Sequence, residues 1–154
     1  MDHTLFDTSQ LLEFIRTKSK FIQSLEKTIQ IYRNNDKFVI MDLIKEYINS
    51  EPNTQTKYSI IHKKNTIIST CRFIYGNKNK KGYFNLVYTN PTYRGLKICQ
   101  NHLKQLIDMH KDTITTFELH VDVDNIPAKK CYENIGFSIV DKHKGNVYLM
   151  RLQI

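Results

Sequence analysis

Tyr83-Phe84-Asn85-Leu86-Val87-Tyr88-Thr89, followed by Asn90-Pro91-Thr92-Tyr93-Arg94-Gly95-Leu96-Lys97-Ile98-Cys99-Gln100, is the stretch on which the fold turns. The first seven residues are rich in aromatic and branched side chains and predict a strand. Pro91 and Gly95 break it, and Ile98, His102, Leu103, Leu106, Ile107 and His110 then fall on one face of a helix. After the helix, Phe117, Leu119, Val121 and Val123 alternate with Glu118, His120 and Asp122, the period of a half-buried strand over Thr116 to Val123. Strand, helix and strand in this order form a crossover unit. Tyr83–Thr89 and Thr116–Val123 should therefore lie parallel in one sheet.

Working outward, Tyr58–His62 and Thr66–Ile74 read as two more strands, separated by Lys63–Asn65 and followed by the turn-rich Gly76–Gly82. Intervals this short make hairpins, so these strands and Tyr83–Thr89 should form an antiparallel meander. Downstream, a helix over Ile126–Ile135 leads to strands near Phe137–Lys142 and Val147–Leu152, joined through His143–Asn146. Upstream the texture is helical. Leu11, Leu12, Phe14, Ile15, Phe21, Ile22, Leu25, Ile29 and Tyr32 recur at three- and four-residue steps, and Phe38 to Ile48 continue the pattern up to Pro52. No strand is legible ahead of these helices. The expected architecture is one α/β domain over 1–154, in the α+β mixed-sheet sense. A helical N-terminal region covers 1–53, and a core over 57–154 holds the meander and a central parallel strand pair.

Composition narrows the class of molecule. The chain has 154 residues, an ordinary apolar fraction, no repeats and no low-complexity tract, which excludes disordered and solenoid architectures. It has no apolar run near the ~20 residues that span a bilayer and no basic-then-apolar leader, so a cytoplasmic protein with no membrane partner is expected. Cys71, Cys99 and Cys131 are too scattered for a disulfide framework or a C-x-x-C metal site, which fits a reducing compartment. The six histidines show no metal-ligand spacing, so no metal is expected. The net charge of +8 attracts anions without saying which, and it also serves solubility.

The chemistry is carried by two segments. A helix start leaves backbone N–H groups without partners and carries partial positive charge. A glycine-containing turn there, flanked by Arg94 and Lys97, can cradle a phosphate. Pro91-x-Tyr93-Arg94-Gly95-x-x-Ile98 resembles the acetyl-CoA signature of the GNAT acetyltransferase superfamily. Lys97 stands where the central glycine is usual, and Cys99 where glycine or alanine is usual. Asn125-x-x-Ala128-x-x-x-Tyr132-Glu133-x-x-Gly136-Phe137 fills each position of the family's second signature. Local physics explains much of it: Asn125 caps a helix, Ala128 permits close packing and Gly136 ends the helix.

The resemblance covers about Lys57 to Ile154 and implies a GNAT-like acyl-CoA N-acyltransferase fold. It also implies acetyl-CoA as cosubstrate and transfer of acetyl to a primary amine of a small molecule or protein. It places the cofactor at Arg94, Gly95, Leu96, Lys97, Ile98, Cys99, Gln100 and Asn125. Pantetheine would lie along Tyr88 and Thr89, and Tyr132 would stand where the family places the acid for the leaving thiolate. For the base that takes the amine proton, His120 is the candidate closest to neutrality, sharing a strand face with Glu118 and Asp122. Those two acids would also supply a patch for a cationic acceptor.

Two other readings stand beside this one. The first is a noncatalytic acyl-CoA sensor or interaction module, suggested by the altered glycine positions. The second, the weaker, is a nucleic-acid binder using Lys63, Lys64, Lys78, Lys80 and Lys81 with Tyr75 and Tyr83. The sheet edges leave room for a homodimer.

Overall fold

The structure, a computed structural model, describes residues 2–7, 9–11, 55–64 and 66–154. The helical pattern read at Leu12–Ile48 lies outside the described residues. Nine elements are central here: β1 (Asp2–Asp7), β2 (Gln55–Lys63), β3 (Thr66–Gly76), β4 (Lys81–Thr89), α1 (Ile98–His110), β5 (Thr116–Asp122), α2 (Ile126–Ile135), β6 (Ser138–His143) and β7 (Val147–Gln153). A single 3-10 turn at Pro91–Tyr93 stands between β4 and α1. The strands form one seven-stranded sheet in the order β1-β2-β3-β4-β5-β7-β6. All neighbours are antiparallel except β4 and β5. The mixed sheet and its parallel pair are those expected from the crossover.

β1 is a correction to the reading of the first residues. Asp2–Asp7 pairs antiparallel with β2 from Asp2↔His62 to Asp7↔Lys57. In Asp-His-Thr-Leu-Phe-Asp, Phe6 alone is buried, so the segment carries almost no alternation of its own. Its strand character comes from pairing with a partner some fifty residues away, which local periodicity does not contain.

α1 covers the centre of the sheet with Leu103, Leu106 and Ile107, all buried. Beneath it lie Phe73, Phe84 and Phe117, one from each of three adjacent strands, with ring centroids 4.8 to 6.0 Å apart. Gly82 makes room for this stack. A Cβ at that position would lie 2.3 Å from the Phe73 ring, so the residue read as a turn glycine belongs to β4 and is fixed by packing.

α1 is also tied to the sheet by polar contacts. His102, 1 % exposed, has Nε2 2.6 Å from Ser59 Oγ of β2 and Nδ1 2.7 Å from Ser69 Oγ of β3. Ser59 in turn meets His3 of β1 at 2.5 Å. Burial, and secondarily His3, push the His102 pKa down to about 3, so the ring is neutral and both nitrogens are engaged. At the other end of the parallel pair, Glu118 of β5 accepts from Arg151 of β7 at 2.9 Å and pairs with Lys81 of β4 at 3.4 Å. Burial alone would raise this carboxyl, but the hydrogen bonds from Arg151 and Lys81 outweigh it and hold the pKa below the usual range. Glu118 is therefore committed to the sheet. The acidic patch expected from Glu118 with Asp122 is reduced to the exposed Asp122.

Candidate functional site

The site begins where the parallel pairing stops. β4 and β5 are in register only from Lys81↔Thr116 to Phe84↔Leu119. Beyond that point β4 stays with β3 and β5 with β7, and the two central strands part. A bulge drives the divergence. Thr70↔Tyr88 and Arg72↔Asn85 leave one extra residue in β4, and Leu86 has φ +50° there, with its carbonyl accepting from Thr70 Oγ1 at 3.2 Å. The extra residue reverses the alternation. Thr89 pairs with Ser69 and shares the face toward α1, whereas Tyr88 pairs with Thr70 on the other face.

A groove of about 800 Å³ occupies this parting. Val87, Tyr88 and Thr89 form one wall, Pro91, Tyr93, Arg94, Gly95 and Lys97 to Gln100 another, and α2 with its N-cap Asn125 the third. The wall at the start of α1 is a field of backbone donors. Tyr93 N–H reaches Asn90 O at 2.9 Å, Arg94 N–H reaches Pro91 O at 3.3 Å, and the next bond is Asn101 N–H to Lys97 O at 3.0 Å. Among the described residues, no hydrogen bond takes the N–H groups of Gly95 through Gln100. Lys97 is the N-cap residue but its side chain does not cap. Unengaged donors at the positive end of a thirteen-residue helix are chemically suited to an anion. Arg94, Lys97 and Lys130 add charge around them.

The local sequence explains this geometry. Asn90 locks the turn, accepting from Thr92 N–H at 3.1 Å and donating to Ile67 O at 3.1 Å. Gly95 and Lys97 both take left-handed backbone, φ +80° and +59°. The first is free for glycine and the second is costly for lysine, which accounts for the glycine usual at that position in the resembled signature. Arg94 folds back along the wall, its Nε donating to Thr89 O at 3.1 Å and its guanidinium 6.0 Å from the Tyr88 ring.

α2 is built as its signature suggests. Asn125 Oδ1 accepts from Ala128 N–H at 3.3 Å. Gly136 closes the helix at φ +120°, its N–H donating to Tyr132 O and Glu133 O. Tyr132 is buried, lines the groove and meets the Phe137 ring edge-on at 6.3 Å.

The groove brings together Tyr88, Thr89, Arg94, Gly95, Lys97, Ile98, Cys99, Gln100, Asn125 and Tyr132. Two expected residues stand apart. Leu96 points outward, 63 % exposed. His120 is not among the groove's lining residues; its Nδ1 lies 2.5 Å from Tyr83 Oη, just past the last β4–β5 pair, with the His143 ring 5.2 Å away. Desolvation, and then His143, lower its pKa against an opposing pull from Glu118, so it is a neutral base at neutral pH. Lining residues beyond the expected set are Val87, Pro91, Tyr93 and, on α2, Pro127, Ala128, Lys130, Cys131 and Asn134. The three- and four-residue spacing of Pro127, Lys130, Cys131 and Asn134 marks one helix face, a signal present in the sequence.

The basic hairpin tips do not form one surface. Consecutive turns of a meander lie at opposite ends of the strand they share, so Lys63 and Lys64 are separated from Lys78 and Lys80 by the length of β3, roughly 35 Å. Tyr75 is buried, Tyr83 is engaged with His120 and Lys81 with Glu118. Among the described residues, no group of three or more His, Cys, Asp or Glu is placed to hold a metal, and no helix is long and apolar enough to cross a membrane.

The sequence profile described as the Acetyltransferase (GNAT) family matches residues 21–137. Among curated proteins no sequence matches the chain. Among solved structures, an acetyltransferase from Streptococcus agalactiae is similar with a TM-score of 0.70 at 13% identity, covering 99% of this chain and 98% of that one. A GNAT-family acetyltransferase from Staphylococcus aureus gives 0.65 at 19% identity, covering 99% of both chains. Spermidine N-acetyltransferase from Vibrio cholerae, in complex with CoA and spermine, gives 0.65 at 16% identity, covering 98% of this chain and 95% of that one. At these identities the likeness is one of fold.

Proposed function

The chain belongs to the GNAT acetyltransferase family, and from that premise we propose that it transfers acetyl from acetyl-CoA to a primary amine of a small molecule or protein, by direct attack in a ternary complex. The observation that carries this reading is the start of α1, where Gly95 and Lys97 to Gln100 line the groove beside the parting of β4 and β5 and, among the described residues, have N–H groups taken by no hydrogen bond. This cradle of donors holds the cofactor's pyrophosphate, with Arg94 and Lys97 adding charge. Pantetheine takes the place of a strand against Tyr88 and Thr89.

The amine nitrogen attacks the thioester carbonyl carbon, and a backbone N–H near Thr89 receives the developing oxyanion. The carbon–sulfur bond then breaks, and Tyr132 donates its phenolic proton toward the departing thiolate. A phenol near pKa ~10 is a weak acid for this purpose, but it is held at the groove and shielded from water. The proton lost by the amine passes to His120, kept neutral by its surroundings, whose contact with Tyr83 lies at the fork of the two strands.

Calorimetric titration with acetyl-CoA and CoA tests the cofactor half, with Arg94→Ala expected to weaken binding roughly 10- to 100-fold, the range of a charge-assisted hydrogen bond. A thiol-release assay across an amine panel then tests turnover. Absence of saturable binding to folded protein would sink the reading. A second reading, an acyl-CoA-binding module without turnover, is favoured by the lysine held in left-handed backbone at the cradle. Tight CoA binding with no thiol release across the panel selects it.

A further inference from the structure

Two of the three cysteines, 32 positions apart in the chain, meet inside the groove. Cys99 in the first turn of α1 and Cys131 on α2 both line it, and their Sγ atoms are 3.3 Å apart. We propose that this pair is a redox switch on the acyl-CoA groove: hydrogen peroxide converts it to an intrachain disulfide that weakens CoA binding, and a thiol reductant restores it. The effect on CoA rests on the acyl-CoA reading above; formation of the bond does not.

The step balances as two thiols plus one peroxide giving one disulfide and two waters. One sulfur of the pair attacks a peroxide oxygen and the O–O bond breaks, leaving a sulfenic acid and one water. The other sulfur then attacks the sulfenic sulfur and expels the second water. The contact serves either order of attack, because the S–H of one cysteine lies against the sulfur of the other and favours thiolate there. Both residues are only partly buried and open to the groove. Cys71 is 2 % exposed, and burial pushes its thiol far up, so it is an internal control.

Closing a gap of 3.3 Å to the ~2.05 Å of a disulfide draws the first turn of α1 toward α2. Cys99 supplies one of the cradle's N–H groups, so the bond displaces a donor from the anion it would hold and narrows the groove between two of its walls. In a reducing compartment such a bond is transient, as a switch requires.

The test uses the full chain, reduced and then exposed to hydrogen peroxide. Free thiols are alkylated in denaturant, peptides are mapped by mass, and CoA is titrated before oxidation, after it, and after re-reduction. The expected result is a Cys99–Cys131 cross-linked peptide lighter by two hydrogens, Cys71 alkylated throughout, and CoA affinity falling at least ~10-fold and recovering with reductant. Cys131→Ser, and independently Cys99→Ala, should give no cross-link and a CoA affinity that peroxide does not change. Oxidation that stops at sulfinate on one cysteine, or a cross-link that leaves CoA affinity unaltered, overturns the proposal. A reduced chain that binds no CoA at all overturns the acyl-CoA reading and the switch with it, and the titration before oxidation tells that failure apart from the others.

Discussion

Lys97, the N-cap of α1, and His102 within the helix sit five residues apart, and each carries a measurable consequence of its surroundings. Lys97 holds φ +59° at the cradle, a conformation that costs an L-residue ~1–2 kcal/mol and glycine little. After the extra entropy of glycine in the unfolded chain, Lys97→Gly should stabilise by ~0.5–1 kcal/mol in denaturant unfolding. His102 is buried neutral with a pKa of about 3, against an ordinary value of 6.5. Its folded pKa is depressed, so the unfolded chain binds the additional proton. Stability is complete above about pH 6.5 and falls through the interval down to about 3, by up to ~1.4 kcal/mol per pH unit for one proton. Chemical denaturation across that range should show the slope, and His102→Gln should flatten it.

At the reaction itself, Tyr132→Phe is expected to lower turnover roughly 10- to 1,000-fold with little change in the KM for acetyl-CoA. Unchanged turnover at saturation would remove the phenol from the chemical step. The His120 imidazole must be neutral to accept a proton, and its pKa lies below the usual value. The acid limb of kcat/KM should therefore lie below pH 6.5, and should change shape in His120→Gln.

β4 is the element whose fine structure most escaped the sequence. Its existence, its parallel partner and the helix that follows were legible because each rests on local periodicity and turn chemistry. Its bulge at Leu86 was not, since the extra residue shows only against the register of β3. Gly82 is similar: it reads as part of a turn, yet a Cβ there would strike the Phe73 ring, a constraint supplied by the neighbouring strand. Gly82→Ala should cost ~1–3 kcal/mol by overpacking, seen as a lower Tm with an unchanged far-UV spectrum. β1 was missed for the same kind of reason. In the candidate site, the two signatures picked out the turn before α1 and the helix α2 because their residues are close in sequence. The meeting of Cys99 with Cys131, the pairing of Tyr83 with His120 and the engagement of Glu118 by Lys81 and Arg151 arise from long-range packing.

For the molecule as a whole, the net charge of +8 attracts anions, and among the described residues its placement is uneven. The hairpin lysines are split between two ends of the sheet, while Arg94, Lys97 and Lys130 gather at one groove. Weakening of acetyl-CoA binding with added salt should be measurable and should lessen in Lys130→Ala.

An ordinary open sheet has two borders, and this one has a third in its middle, where β4 and β5 separate after Phe84 and Leu119. Among the described residues, no strand pairs with β4 and β5 across that parting. If pantetheine fills that gap, the cofactor is also a missing piece of the fold. Resistance to unfolding then tracks the metabolite's concentration, by ~2.7 kcal/mol at a hundred times Kd. Supply of the acyl donor and persistence of the folded chain would become one variable.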